Sequence, residues 1–294
     1  MPAAVALAVA LQLDPNNLPI GPKGTLLVQP GQIVETKTGR VMTAFEVAEA
    51  CKGQKFLFIG ENHATSLHQQ MEAKLVESLA FAGRTPAVGV EFFHRTKQDV
   101  LDQWTKGALN EADFLIQSEW KTQWGYDYNF YRPLFEVIKA KSMPVVGLNV
   151  PRDWVRTVSK GGFDSLPLSA RMQLPATLDL NNKNHKMVFE SLMGGHDMGP
   201  AMANIYQSQM LWDHGMADTA AKYIAVRKPT SKDIFVVIAG SGHIMYSQGI
   251  NYRLAQRGAG RGLNFVMIQS EKTVEVAKGL GDFVYCTTPE PIKK

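Results

Sequence analysis

Lys55-Phe56-Leu57-Phe58-Ile59-Gly60 (KFLFIG) is apolar almost throughout, and Glu61-Asn62-His63 follows it directly. A run without polar alternation reads as a strand buried on both faces, the signature of a parallel sheet covered by helices. The same kind of run recurs at Ala87–Phe93 (AVGVEFF), Pro144–Val150 (PVVGLNV) and Asp233–Gly240 (DIFVVIAG). Asn264–Ser270 (NFVMIQS) and Asp282–Thr287 (DFVYCT) make a fifth and sixth. Helix-length stretches separate most of them, so the fold class is α/β, a parallel β-sheet flanked by helices.

Ser66–Ala82 reads as the first crossover helix, with Leu67, Met71, Leu75, Val76 and Leu79 as its apolar stripe and Gly83-Arg84-Thr85-Pro86 as its stop. A short helix is expected over Phe45–Lys52, and a small hairpin or edge strands within Thr25–Thr43. From Trp154 to Val226 no strand-like run occurs, and roughly 70 residues is too long for one crossover. The expected organisation is an α/β domain over 24–294 with a small inserted helical subdomain at 154–226. Residues 1–23 form an N-terminal arm or a degenerate export signal, because Ala3–Leu13 is an apolar run of signal-peptide length without a basic leader. Export to the periplasm or outer membrane is the expectation, with a cytoplasmic location as the alternative. No run is long enough to span a bilayer, so any membrane association would be peripheral.

The chain has 294 residues, 45% hydrophobic and 20% charged, which excludes a disordered chain and a membrane bundle. Its formal net charge of +4 is scattered and leaves no footprint for nucleic acid. Cys51 and Cys286 are too few for a disulfide scaffold or a multi-cysteine zinc site, and they read as two buried thiols.

Ligands of open parallel sheets bind beyond the carboxyl ends of the strands. Glu61 and His63 follow the first strand there; Glu91 ends the second, with His94 and Arg95 beyond it. Asn149 and Arg152 follow the third, and Gly240-Ser241-Gly242-His243 the fourth. Glu61, His63, Glu91 and His243 are candidate ligands for a divalent transition metal such as zinc, manganese or iron, with an open position for water. The competing reading is a salt-bridged network with Arg95 and Arg152 that closes the top of the sheet. His68, His94 and His214 are expected at the surface or as caps. Neither a phosphate loop nor a Gly-x-Ser-x-Gly elbow is present. The 154–226 interval is rich in methionine and aromatic residues, and on its last helix Gln209 and Asp213 stand one turn apart on one face.

Gly60-Glu61-Asn62-His63, Gln69/Gln70, Val90-Glu91-Phe92-Phe93 and Trp124 with Tyr131-Arg132-Pro133-Leu134 together resemble the ChaN-like proteins of the haem-binding-uptake/Tiki superfamily. Asn149-Val150-Pro151-Arg152, Gln209 with Asp213, Met216 and Ala217, Gly240-Ser241-Gly242-His243, Gly249-Ile250 and Arg253-Leu254 continue the likeness in order. The resemblance implies haem as the ligand, a role in haem or iron uptake, and a homodimer in which a tyrosine of one subunit and a histidine of the other hold each haem. Tyr206 and His196 are the candidates in this chain by type and location. The superfamily also includes erythromycin-esterase-like and Tiki enzymes, which implies the alternative of a metal-dependent hydrolase. There Glu61, His63, Glu91 and His243 would be catalytic, with Arg152 steadying an anionic intermediate.

Overall fold

The computed structural model describes residues 13–175, 178–194, 200–227 and 230–290. The first half of the chain forms β1 (Thr25–Val28), β2 (Ile33–Glu35), β3 (Val41–Met42), α1 (Ala44–Ala50), β4 (Phe56–Glu61), α2 (Ser66–Phe81) and β5 (Thr85–His94). Four helices then follow before the next strand: α3 (Gln98–Thr105), α4 (Glu111–Gln117), α5 (Trp120–Gln123) and α6 (Tyr128–Ala140). After β6 (Val145–Asn149) come α7 (Arg152–Gly161), α8 (Leu168–Arg171), α9 (Lys183–Leu192) and α10 (Pro200–Ala225). The chain closes with β7 (Asp233–Gly240), α11 (Ile250–Gln256), β8 (Leu263–Gln269), β9 (Val274–Ala277) and β10 (Phe283–Thr287).

All six apolar runs are strands of one sheet, whose order is β3-β2-β10-β8-β4-β7-β5-β6. From β10 to β6 every neighbouring pair is parallel. The expected hairpin is there in part. β2 and β3 pair antiparallel and β2 caps the sheet edge against β10, but β1 leaves to pair with β9. The helix expected near Phe45 is α1, started by a capping box between Thr43 and Glu46.

Side chains alternate between the two faces of the sheet. Leu57 and Ile59 of β4, with Val236 and Ile238 of β7, pack beneath Leu75, Val76 and Leu79 of α2. Phe56 and Phe58, with Phe235, Val237 and Ala239, pack on the other face with Met216, Ala217 and Ala220 of α10. The second half of α10 therefore covers the sheet, whereas α7 and α8 contribute to a small core of their own around Val155, Val158, Leu166 and Ala170. Close approach is required where α10 crosses β6. A Cβ on Gly215 would lie 2.2 Å from Val150 Cγ1, so only glycine fits.

Cys51 and Cys286 are free and buried, as expected. His68 and His214 are not surface residues: they are 0% and 7% exposed. His68 Nδ1 accepts from the Asn62 N–H at 2.9 Å, and its other nitrogen lies 3.2 Å from Thr287 Oγ1. Its pKa falls to about 4, chiefly because burial disfavours the charged ring. His214 Nε2 accepts from the Asp179 N–H, and burial followed by Arg253 brings its pKa down to about 3.

Candidate functional site

The sheet order sets β7 between β4 and β5, so the groups that leave these three strands converge at one edge. β5 changes register between Val90 and His94, an irregularity that interrupts its pairing around Glu91. Gly240, at the end of β7, makes room for the cluster. A Cβ there would stand 3.0 Å from His63 Cε1 and 3.7 Å from Glu91 Oε2.

His63 and Glu61 form one dyad. Two residues apart at the end of an extended strand, they meet with His63 Nδ1–H donating to Glu61 Oε1 at 2.7 Å. Gln69 donates to the other oxygen of Glu61, and Tyr131 adds a longer bond at 3.3 Å to Oε1. Burial opposes protonation of His63, but Glu61 and Glu91 outweigh it and raise the pKa. Behind the dyad lies Glu72, wholly buried and, among the described residues, without a hydrogen-bond partner for either oxygen. Burial first and Glu61 second hold it well above the usual carboxylate range.

His243 forms a second and larger assembly. Its Nε2 lies 3.4 Å from Glu91 Oε1, and its Nδ1 lies 2.6 Å from Asp213 Oδ1. The Gln209 side-chain amide is 3.0 Å from the same Nδ1, so the two residues set on one face of α10 by their spacing both reach this ring. Asp213 Oδ2 accepts from His185 Nε2–H at 2.7 Å, and His185 Nδ1 accepts from the Tyr206 hydroxyl at 3.1 Å. Arg253 completes the charge balance 3.5 Å from Asp213. A continuous polar chain thus runs Glu91–His243–Asp213–His185–Tyr206. Burial alone would make His243 neutral, yet Glu91 and Asp213 lift its pKa to about 10. Burial would likewise raise Glu91, but His243, His63 and the Gly240 N–H at 2.8 Å bring it down to about 2. Asp213 is pushed below the carboxylate range in spite of burial, by Arg253 and His243.

Arg95 and Arg152, expected as partners of the cluster, make no ion pair with it among the described residues, although Arg152 lines the same cavity as His63 and Glu91. Arg95 pairs with Asp218 and lies over Trp154, while Arg152 donates to the Thr122 carbonyl at 2.9 Å. Asn149 holds the backbone, donating to the Glu91 carbonyl at 3.2 Å. Among the described residues, no three His, Cys, Asp or Glu side chains are disposed to hold a metal ion. His185 and Glu72 escaped the sequence reading because neither sits in a local motif at a strand end.

Two cavities of about 280 and 420 Å³ open on this face and share His63 and Tyr126. The first is walled by Phe92, Trp124 and Trp212, the second by Phe189, Leu192 and Met193. Tyr126 is 41% exposed, with its ring 5.6 Å from that of His63. Tyr206 is 7% exposed and packs on Phe189; its pKa rises to about 12, mainly through burial. Its hydroxyl donates to His185 Nδ1 at 3.1 Å. His196 lies outside the described residues.

Among solved structures, the chain is similar to ChaN of Campylobacter jejuni, a structure titled for its cofacial haem binding. They share 17% identity, the match covers 86% of this chain and 95% of that one, and the TM-score is 0.66. It also matches an erythromycin esterase variant, EreC, in its open conformation, at 12% identity over 82% of this chain and 77% of that one, with a TM-score of 0.47. No curated protein matches the sequence. The likeness to ChaN of Campylobacter jejuni extends to the fold. A family model described as haem-binding uptake, Tiki superfamily, ChaN matches residues 47–254, a span that contains the His63–Glu61 dyad and the whole polar chain. The protein belongs to this ChaN family of the haem-binding uptake, Tiki superfamily.

Proposed function

We propose that this protein binds haem at the strand-end cleft and serves haem or iron uptake. The family match over residues 47–254 carries the reading. The cleft suits a flat apolar ligand, because Trp124, Trp212, Phe189 and Met193 line its two halves. Haem would supply an iron, and tyrosinate is one of the ligand types that can hold it. Tyr126 is the tyrosine that stands between the two halves and reaches solvent, with His63 beside it. Burial first, then the carboxylates of Glu61 and Glu91, raise the pKa of Tyr126. We assign the pairing of two subunits around haem, and export through the segment Ala3–Leu13, to the same reading.

Haemin titration followed at the Soret band tests it. Binding should saturate, Tyr126→Phe should weaken it, and Tyr206→Phe should leave it largely unchanged. A sedimentation run with and without haemin tests the homodimer, and the intact mass of native material tests cleavage after Ala10. If haemin binds no better than to an unrelated protein of similar charge, the haem reading falls.

The His63–Glu61 dyad, with His243 close by, supports a second reading, acid–base hydrolysis. His63, backed by Glu61, would take a proton from water, while cationic His243 would face the charge that develops. Turnover of simple ester substrates that is abolished by His63→Ala, in a chain that stays folded, would favour it over haem binding.

A further inference from the structure

A cavity of about 660 Å³ lies at the opposite end of the sheet from the cleft. It is bounded by the residues that open β4, β5, β6 and β7 and by the last turn of α10. Pro86, Ala87, Pro144, Ile224 and Phe235 make its apolar surface. One wall is a three-layer stack. The rings of Phe235 and Tyr223 are 5.1 Å apart, and the Arg227 guanidinium lies 3.8 Å from the centre of the Tyr223 ring. The Tyr223 hydroxyl is shielded from water and has no hydrogen-bond partner among the described residues.

Charge at the mouth specifies the ligand further. Lys55 and Arg227 are exposed there, and neither joins an ion pair among the described residues. Asp233, the acid of the lining, already accepts from the Thr230 N–H. The local balance is therefore cationic, over an apolar floor.

We propose that this cavity is a binding site for an amphipathic monocarboxylate, an acyl or aryl acid whose carboxylate meets Arg227 and Lys55 and whose apolar body lies along Phe235, Pro86 and Pro144. The cavity falls within the size range of pre-formed small-molecule sites, roughly 300–1,000 Å³. This site is separate from the strand-end cleft and does not depend on what that cleft binds.

Calorimetric titration of the full chain with decanoate, and with decanol as the uncharged control, tests the proposal. Decanoate should bind at one site per chain, and decanol about tenfold more weakly, the worth of roughly one charge-assisted hydrogen bond. Arg227→Ala, a change at an exposed position, should weaken decanoate by a similar factor and leave decanol unchanged. Ile224→Trp should fill the cavity and abolish both. The haemin Soret titration should be the same in Arg227→Ala as in the parent, which separates this site from the cleft. Absence of saturable decanoate binding overturns the proposal. So does equal binding of decanoate and decanol, or decanoate binding indifferent to Arg227→Ala, an outcome that stands even if Ile224→Trp does not fold.

Discussion

Asp213 on α10 and His243 beyond β7 face each other with Oδ1 and Nδ1 2.6 Å apart, and both side chains are buried. The same carboxylate holds His185 through its other oxygen, so one acid positions two imidazoles. Asp213→Asn leaves His243 and Arg253 without their shared counter-charge. Breaking a buried pair from one side costs roughly 3–5 kcal/mol, and that is the loss expected in a urea unfolding curve. The His243 ring, held at about 10, should titrate lower in the variant, a change visible by NMR. A loss under about 1 kcal/mol, the range of exposed pairs, would show that the contact is not a stabilising one.

The pair also sets a pH window. His243 has a folded pKa of about 10 against an ordinary 6.5, so its stabilising contribution is complete below 6.5 and fades as pH rises through 10. Glu91 is lowered to about 2 from 4.5, so its contribution is complete above 4.5 and fades as pH falls through 2. The stability difference between the parent and Glu91→Gln should therefore be greatest between about 4.5 and 6.5 and shrink on either side. Denaturant curves from pH 2 to pH 10 measure it. A flat difference would separate these groups from the stability of the fold.

Two glycines give opposite expectations. At Gly215 an added Cβ meets Val150 Cγ1 at 2.2 Å in the packed contact between α10 and β6. Gly215→Ala should cost about 1–3 kcal/mol by overpacking, read as a lower melting temperature. At Gly240 the nearest neighbour is the His63 ring at 3.0 Å, a part-exposed side chain and not packed backbone. Gly240→Ala should keep the fold but separate His63 from Glu61, moving the His63 titration back toward the ordinary range. Equal melting temperatures for parent and Gly215→Ala would contradict the packing argument.

What the sequence made legible follows from how local each determinant is. The strands announced themselves because both faces of the parallel sheet are buried, which leaves runs such as DIFVVIAG with no polar position beyond the first. Glu61, His63, Glu91 and His243 were legible because a strand end is a local landmark and topology gathers strand ends. The fates of His68, His214 and Tyr206 were not, since their partners, Thr287, Asp179 and His185, lie 219, 35 and 21 residues away. Residue type told what Tyr206 could do, but only packing decided that its hydroxyl is occupied. His68, Gln69 and Glu72 line a buried polar side of α2, which an apolar-stripe reading assigns to solvent.

The metal expectation also has a direct measurement. His63 is committed to Glu61, and His243 to both Glu91 and Asp213, so the four proposed ligands already satisfy one another. Incubation with zinc, manganese or iron followed by desalting and metal analysis should leave no stoichiometric metal. Glu91→Ala should instead cost several kcal/mol, as removal of one partner from a buried network does. One metal per chain, lost in His63→Ala and Glu91→Ala while both stay folded, would establish the metal site and reject the network account. Such binding should weaken as pH falls, because ligating imidazoles must be neutral.

Glu72 supplies the test of what lies behind the first dyad. Its carboxyl is buried beside Glu61 and is held well above 4.5 by burial and by that neighbour's charge. A carboxyl raised in the folded state binds its proton more tightly there than in the unfolded chain. It therefore disfavours folding as pH climbs from 4.5 toward the folded pKa, at a cost of about 1.4 kcal/mol for each pH unit climbed. Glu72→Gln is nearly isosteric, carries no charge and can donate to Glu61. The variant should match the parent at pH 4 and exceed it in stability at neutral and alkaline pH, the reverse of what Glu91→Gln should do. Paired urea titrations at both pH values decide between the two signs. A variant less stable than the parent at pH 8 would mean that Glu72 is ionised and bonded in the folded chain, and the buried carboxylate pair would have to be abandoned.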